Sequence, residues 1–402
     1  MRKMIREIEL NQEQRDALEA IRAGKNVGLF GSAGTGKTEL IKVACEVFMK
    51  QGKRVKKVSF QGLAAQLIGG TTIHRTFGIP YNLKEFIPSK KNVEFLKNVD
   101  VLIIDEIGMV SRKMLDIIGD CLAYHEGKLQ IIVVGDFYQI EPVHKYEKVE
   151  FAFESFYWNK FDFSICILEQ VVRQGNREFI ENLQKLRVGN RDALKYFMTN
   201  MNPKWLEDAI TICTHREDAR KINERKLSEL DGEKSRPYCA SYEGKIDDEA
   251  IPGEACLVVK KGMRVMSTLN SKEGYQNGSM GVVVGFDDDS ILVRFDYDGK
   301  VHKVRWARMK MDRTDVKRSV DTTEVVFMPL RPAYAITIHK SQGQTFDKVN
   351  VVIGQKGAFA HGQLYVALTR CRSIENTHIQ GNIYRCKIAP NPKVQAFYDS
   401  VA

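Results

Sequence analysis

The chain has 402 residues, 61 Lys+Arg against 51 Asp+Glu, a formal charge of +10 and a pI near 9.0. At roughly 100–200 residues per domain this length accommodates two to three domains with buried cores. No apolar run reaches the roughly 18–20 residues of a membrane span, which excludes a helical membrane protein and sets the expectation of no membrane partner. The basic excess suits a polyanionic partner such as nucleic acid. Eight cysteines lie scattered from Cys45 to Cys386 without C-x-x-C or metal-ligand spacing. The expectation is reduced thiols, without zinc or disulfides, in a reducing compartment. The first residues, MRKMIREIELNQEQ, carry no apolar h-region or cleavage site, so a cytoplasmic location is expected.

In chain order, the first informative stretch is FGSAGTGKTEL, Phe30 to Leu40, which fits the spacing G-x-x-x-x-G-K-[ST] with Gly31, Gly36, Lys37 and Thr38. Glycines there let the backbone of Gly34, Thr35 and Gly36 turn N–H groups toward phosphates. A helix opening near Gly36 points its positive end at them, Lys37 adds a point charge and the Thr38 hydroxyl can reach Mg²⁺. The apolar NVGLF before the loop predicts a buried strand, and ELIKVACEVFMKQG after it predicts a helix that stops at Gly52.

Two further apolar runs, KRVKKVSF and NVDVLIIDEIGMVS, predict parallel strands delivering polar residues to the carboxyl edge of a sheet. The second ends in Asp105-Glu106. In a phosphate-loop ATPase one such carboxylate holds Mg²⁺ and the next polarises the attacking water. A third strand, LQIIVVGDFYQIEPV, carries Gln139, an amide able to sense a γ-phosphate or orient the water. Strands alternating with helices predict an α/β doubly wound lobe.

After Leu168 the pattern begins again: ICILEQVVRQ and AITICTHREDARKINERKL predict strand-then-helix units with no second phosphate loop. Two lobes with one nucleotide site suit a motor, in which the second lobe must bring cations to the nucleotide. EQVVRQ offers Arg173 and QLYVALTRCRS offers Arg370. From about Lys261 to Val325 the chain is rich in β-branched residues, with turn signals at Asn277-Gly278, Asp287-Asp288-Asp289 and Asp298-Gly299. A small all-β barrel inserted in the second lobe is expected there, after which VVFMPLRPAYAITIHKSQGQTFDKVNVVIG resumes strand, polar loop and strand. The predicted division is residues 1–170 (first lobe, with a small accessory insertion at 78–98), 171–261 (second lobe, first part), 262–325 (barrel) and 326–402 (second lobe, last part).

LNQEQRDAL, GSAGTGKT, GGTTIHRTFGI, DEIGMVSRKMLD, VVGDFYQIEPV, LEQVVRQ, AYAITIHKSQGQTFD and YVALTRCRS occur in that order. In this the chain resembles the superfamily 1 helicases of the petite integration frequency (Pif) type, related to the RecD and Dda helicases, over nearly its whole length. The resemblance implies two RecA-like lobes, with Gln14 recognising adenine, Arg173 and Arg370 contacting the γ-phosphate, Gln139 as sensor and Gln342 as a cleft residue near the phosphate. It implies ATP and Mg²⁺, with Thr38 and Asp105 on the metal and Glu106 activating water. It further implies a monomer acting 5′ to 3′ on single-stranded DNA, on tailed or forked duplexes and on G-quadruplex DNA. The segment 78–98 would hold the strand-separating element.

Single strands need hydroxyls, amides and aromatic or imidazole faces. Within the matching motifs these are Thr72, His74, Phe77, His339, Lys340, Ser341 and Thr345. Phosphate contacts do not report the 2′-OH, so the residues alone leave DNA and RNA open, and DNA follows from the resemblance. An alternative with an identical ATP site is a nucleic-acid-dependent ATPase or recombination-nuclease subunit that remodels complexes without unwinding. A phosphotransferase would leave the second-lobe arginines and HKSQG without a role.

Overall fold

Continuous apolar runs become the inner strands of a parallel sheet because both faces of such a sheet are covered by helices. The computed structural model describes residues 10–79, 86–125, 127–142, 149–172, 176–230, 234–246, 251–271, 273–312 and 322–401. Its first sheet contains β1 (Val27–Gly31), β2 (Val55–Ser59), β3 (Thr71–Thr72), β4 (Val101–Asp105), β5 (Gln130–Gly135) and β6 (Ser164–Leu168). Their order is β3-β2-β4-β5-β1-β6, with every pairing parallel. All carboxyl ends therefore share one edge, where Gly31, Asp105 and Gly135 hand over to loops. The strand ICIL pairs with β1 and so completes this first sheet, inside the expected first-lobe span of residues 1–170.

The second lobe places β7 (Ile210–Cys213) at the centre of a smaller sheet, interrupted in sequence by a β-rich unit. That unit contains β8 (Ser235–Cys239), β9 (Cys256–Lys260), β10 (Arg264–Ser267), β11 (Met280–Phe286), β12 (Ser290–Phe295), β13 (Val301–Arg305), β14 (Ala307–Asp312), β15 (Thr322–Phe327) and β16 (Leu330–Pro332). The chain then returns through β17 (Ala335–Thr337), β18 (Val349–Val352) and β19 (Thr377–Gln380), giving a parallel sheet in the order β17-β7-β18-β19. Two α/β units of this kind constitute RecA-like lobes.

Several expectations are corrected. The β-rich unit contains an open five-stranded antiparallel sheet, β13-β12-β11-β10-β16, with β8-β9 and β14-β15 as separate ribbons. Among the described residues no pairing of β13 with β16 closes a barrel. Its boundaries also move outward: Tyr238, Leu257 and Val259 share one core with Val265, Val293, Phe295, Met328 and Leu330, so the unit runs beyond residues 262–325 at both ends. Cys239 and Cys256, directly opposed across β8-β9, form a disulfide in place of two thiols. Their separation of 17 residues carries no sequence signal, because cross-strand register decides it. Finally, the helix Pro392–Val401 leaves the second lobe and packs on the first. Val394 and Tyr398 are buried with Phe30, Phe137 and Trp158, and Phe397 stacks on Phe153 at 4.7 Å. Of the accessory segment, residues 80–85 lie outside the described residues. The remainder forms two short helices, Lys90–Val93 and Glu94–Asn98, with Val93 and Leu96 in the first-lobe core and no hairpin among the described residues.

Candidate active site

The phosphate loop leaves β1 with Gly34 at φ 87° and Gly36 at φ 83°, left-handed values that favour glycine. A Cβ on Gly36 would lie 2.4 Å from Gln14 Nε2, and one on Gly31 would lie 2.5 Å from the Leu168 carbonyl oxygen. The loop is thus pressed between the helix Gln12–Arg22 and β6. Gln14 fixes it: Nε2 donates to the Thr35 carbonyl at 3.0 Å, and Oε1 accepts the Asn11 N–H at 3.1 Å in a reciprocal capping box. The expected adenine reader is placed here as a cap and a loop support. Thr35 Oγ1 donates to the Ser32 carbonyl at 3.0 Å. Lys37 Nζ donates to the carbonyls of Gly31 and Ser32 at 2.7 and 2.8 Å. Burial pushes the Lys37 ammonium below the ordinary lysine value, while Asp136 and Glu106 pull it back up.

Asp105 closes β4 and accepts the Glu106 N–H at 2.9 Å. Burial and the adjacent Glu106 push its carboxyl up to about 7. Glu106 holds φ 55° and ψ 44°, a left-handed conformation that costs a non-glycine residue about 1–3 kcal/mol and clusters at functional sites. Burial raises its pKa, with Lys37 and Arg370 opposing. From the second lobe, Gln342 Nε2 lies 3.3 Å from both Glu106 Oε2 and Gln139 Oε1, so one amide spans the cleft to two first-lobe groups. Gln342 Oε1 is buried and has no hydrogen-bond partner among the described residues.

Arg370 is buried, with Nε donating to the Val366 carbonyl and Nη1 to the Gln344 carbonyl, both at 2.9 Å. Its charge acts on Glu106. Arg173 lies outside the described residues; the residue before it, Val172, donates its N–H to the Gly34 carbonyl at 3.0 Å.

Sequence reasoning missed other residues that bind the lobes together. Tyr365 OH accepts the Ala33 N–H at 3.0 Å, and Gln184 Nε2 donates to Ser32 Oγ. Arg187, at the end of the helix Arg177–Arg187, pairs with Asp136 of the first lobe: Nη2 and Nε donate to the two carboxylate oxygens at 2.8 and 3.1 Å, with side chains 13% and 0% exposed. Its guanidinium lies 4.4 Å from the Tyr138 ring centroid, and Tyr398 OH donates to Asp136 Oδ1 at 3.3 Å. Burial works against the Arg187 charge, but Asp136 more than compensates and raises its pKa. One sequence signal existed: Arg187 follows Leu183 by a helical turn, a charge in line with apolar positions.

The expected DNA contacts divide. Thr72 Oγ1 accepts the Arg75 N–H at 3.2 Å as a helix cap. His74 is 7% exposed, its Nδ1 is 2.9 Å from the Ile79 carbonyl oxygen, and burial lowers its pKa. Phe77 is 0% exposed and meets Phe95 edge-on. Ser341 is buried with its hydroxyl donating to the Ile338 carbonyl at 2.8 Å. His74, Phe77 and Ser341 are thus buried side chains of their lobes. Lys340 and Thr345 are exposed and His339 is half-buried.

The residues fit a nucleotide carrying Mg²⁺: a phosphate loop with obligatory glycines, paired acids beside it and, across the cleft, a buried amide whose oxygen has no partner among the described residues. Thr38, exposed in the first turn of the helix Lys37–Lys50, and Asp105 would hold the ion.

The model of the PIF1-like helicase family matches residues 9–195, and that of the UvrD-like helicase C-terminal domain matches 332–373. The ATP-dependent DNA helicase Pif1 of Bdellovibrio bacteriovorus is 32% identical over 98% of this chain and 92% of its own length. The Xenopus laevis ATP-dependent DNA helicase PIF1 is 32% identical over 98% of this chain, which spans 65% of that longer protein. Bacteroides Pif1 bound to ssDNA superposes with a TM-score of 0.83 at 31% identity, covering 99% of this chain and 97% of that one. The unliganded Bacteroides protein, at the same coverage, gives 0.62. With identity and coverage in agreement, the chain belongs to the PIF1-like helicase family.

Proposed function

We propose that this chain is an ATP-dependent DNA helicase that moves 5′ to 3′ on single-stranded DNA and unwinds tailed or forked duplexes. The observation that carries the reading is Gln342, a second-lobe amide within 3.3 Å of both Glu106 and Gln139 of the first lobe. Chemistry at Glu106 and the relative position of the lobes are thereby one problem. The relatives' names and the ssDNA-bound neighbour support the substrate class.

In this reading Lys37 leaves the loop carbonyls for the β- and γ-phosphates, and the N–H groups of Gly34, Thr35 and Gly36 hold the chain of phosphates. Mg²⁺, held by Thr38 and Asp105, neutralises phosphate charge when bound. Glu106 accepts a proton from the attacking water, and Gln139 and Gln342 orient that water. Arg173 and Arg370 approach the γ-phosphate from the second lobe and offset the charge developing there. Arg187 and Asp136 hold the third-motif loop, and hence Gln139, at the lobe junction.

DNA crosses the edges of both lobes over Thr72, Lys340, His339 and Thr345, with the β-rich unit as a barrel-like guide and the segment 78–98 as the separating element. We extend the reading, on family grounds, to G-quadruplex DNA, to action as a monomer and to a cytoplasmic location. The test is ATP hydrolysis by the purified chain with and without single-stranded DNA or RNA. Strong stimulation by DNA is expected; rapid hydrolysis unaffected by either polymer contradicts a motor.

A further inference from the structure

The loop that follows β5, from Asp136 to Glu141, is held almost residue by residue by the last helix of the chain. Asn391, just ahead of the helix Pro392–Val401, and Gln395 and Tyr398 within it are spaced i, i+4, i+7 and share one face. Asn391 Nδ2 donates to Glu141 Oε2 at 3.1 Å, and Gln395 Oε1 accepts the Tyr138 hydroxyl at 3.0 Å. Tyr398 OH accepts the Phe137 N–H at 3.2 Å and donates to Asp136 Oδ1 at 3.3 Å. The Tyr398 and Tyr138 rings stack at 4.6 Å, 9° from parallel. Helix and loop therefore run antiparallel. Gln139, in the middle of the loop, is bound elsewhere, its Oε1 meeting Gln342 Nε2 at 3.3 Å.

The backbone at Gln139 is confined by the second lobe as well: a Cβ on Gly362, at φ 74°, would lie 2.3 Å from the Gln139 carbonyl oxygen. The last helix is itself tethered to that lobe. Ile383, Cys386 and Ile388 belong to the second-lobe core, whereas Asn391 already bonds the first lobe, so Ala389 and Pro390 make the crossing. Packing alone does not account for the Tyr398 hydroxyl. A phenylalanine would fill the same place beside Phe30, Phe137 and Trp158, and a buried hydroxyl costs free energy unless it is hydrogen-bonded. Burial and Asp136 push the Tyr398 phenol well above the ordinary tyrosine value, so it keeps its proton and donates to that carboxylate.

We propose that Tyr398 is a positioning residue for ATP hydrolysis: through Asp136 and the Phe137 N–H it sets the backbone from which Gln139 presents its amide to the attacking water. This deepens the helicase reading above and rests on it. Tyr398 lies outside the eight motifs, so part of the hydrolytic geometry is built by the C-terminal helix. Because that helix is joined to the second lobe through two residues, it also ties the loop to the lobe that must move.

The test is steady-state ATP hydrolysis by the full chain at saturating single-stranded DNA, comparing Tyr398→Phe, Gln139→Ala and the two together. Tyr398→Phe keeps the ring and its stack and loses only the hydroxyl. It should lower kcat roughly 10-fold, short of the ~10²-fold that follows a 1 Å misplacement, with KM for ATP unchanged. Where Gln139 is already alanine it should cause no further loss, because the two residues then act as one unit. An unaltered kcat in Tyr398→Phe, or the same fold loss in both backgrounds, overturns the proposal and leaves the helicase reading in place. Absence of DNA-stimulated hydrolysis in the unaltered chain overturns the helicase reading and this one with it. Should Tyr398→Phe fail to fold, Gln395→Ala, on the half-buried flank of the same helix, removes the grip on Tyr138 alone. A loss of kcat that vanishes in the Gln139→Ala background supports the assignment, and an unaltered kcat overturns it.

Discussion

Arg187 and Asp136 carry an ion pair out of water at the junction of two lobes, and each needs the other there. Removing one partner of such a pair costs about 3–5 kcal/mol, because the remaining charge stays buried, whereas replacing both with apolar groups costs far less. Arg187→Met should therefore lower the free energy of urea unfolding by about that amount, and Arg187→Met with Asp136→Leu should recover much of the loss. Glu106→Gln should bind nucleotide and turn it over on the order of 10²–10⁴-fold more slowly, since the amide keeps the shape but accepts no proton; single-turnover hydrolysis beside a nucleotide-binding titration separates the two effects. Lys37→Ala should abolish hydrolysis. The residues behind these last predictions were legible in the sequence, because Lys37, Asp105, Glu106 and Gln139 sit in short motifs whose spacing is the chemistry. Arg187 and Tyr365 were not, because their partners lie 51 and 332 residues away and only folding brings them near. His74 and Phe77 sit within a matching motif, yet the motif cannot say which side of the loop faces the lobe.

At the scale of elements, the strands were legible wherever an apolar run ended in polar residues, as in β1, β4 and β5, since a parallel strand buried on both faces leaves that signature. Boundaries between units were less so. ICIL looks the same whether it completes one sheet or starts another, and its pairing with β1 is a choice of tertiary contact. The helix Pro392–Val401 shows the same limit: its apolar face specifies a partner surface without naming the lobe. Its burial against Phe30, Phe137 and Trp158 makes it part of the first-lobe core. Truncation before Pro392 should then expose these aromatic rings. Hydrogen exchange should show protection lost in β1 and β5 well before β7 and β18; uniform loss across both sheets, or none, would contradict that assignment. Opening the Cys239–Cys256 bond with a dithiol should leave the nucleotide site intact, because that ribbon belongs to a core, packed also by Leu227, Leu230 and Tyr334, that contains none of the residues of the nucleotide site.

At the scale of the whole molecule, contacts across the cleft, Gln342 to Glu106, Tyr365 to Ala33 and Arg187 to Asp136, join the two lobes. Opening the lobes must break them together, which is how occupancy of the nucleotide site and grip on a strand become linked. Arg370→Ala should accordingly remove the DNA-stimulated part of hydrolysis while leaving nucleotide-free DNA binding near its original affinity, measured in parallel on one preparation. That affinity should fall steeply with added salt as phosphate counterions are released. The most direct measurement of the central claim is ATP-driven strand separation of matched DNA duplexes carrying a single-stranded tail on either the 5′ or the 3′ side. The account predicts separation of the 5′-tailed duplex, dependent on Glu106, and none of the 3′-tailed one. Separation of the 3′-tailed duplex alone would contradict the direction, and DNA-stimulated hydrolysis without separation of either would contradict the helicase assignment.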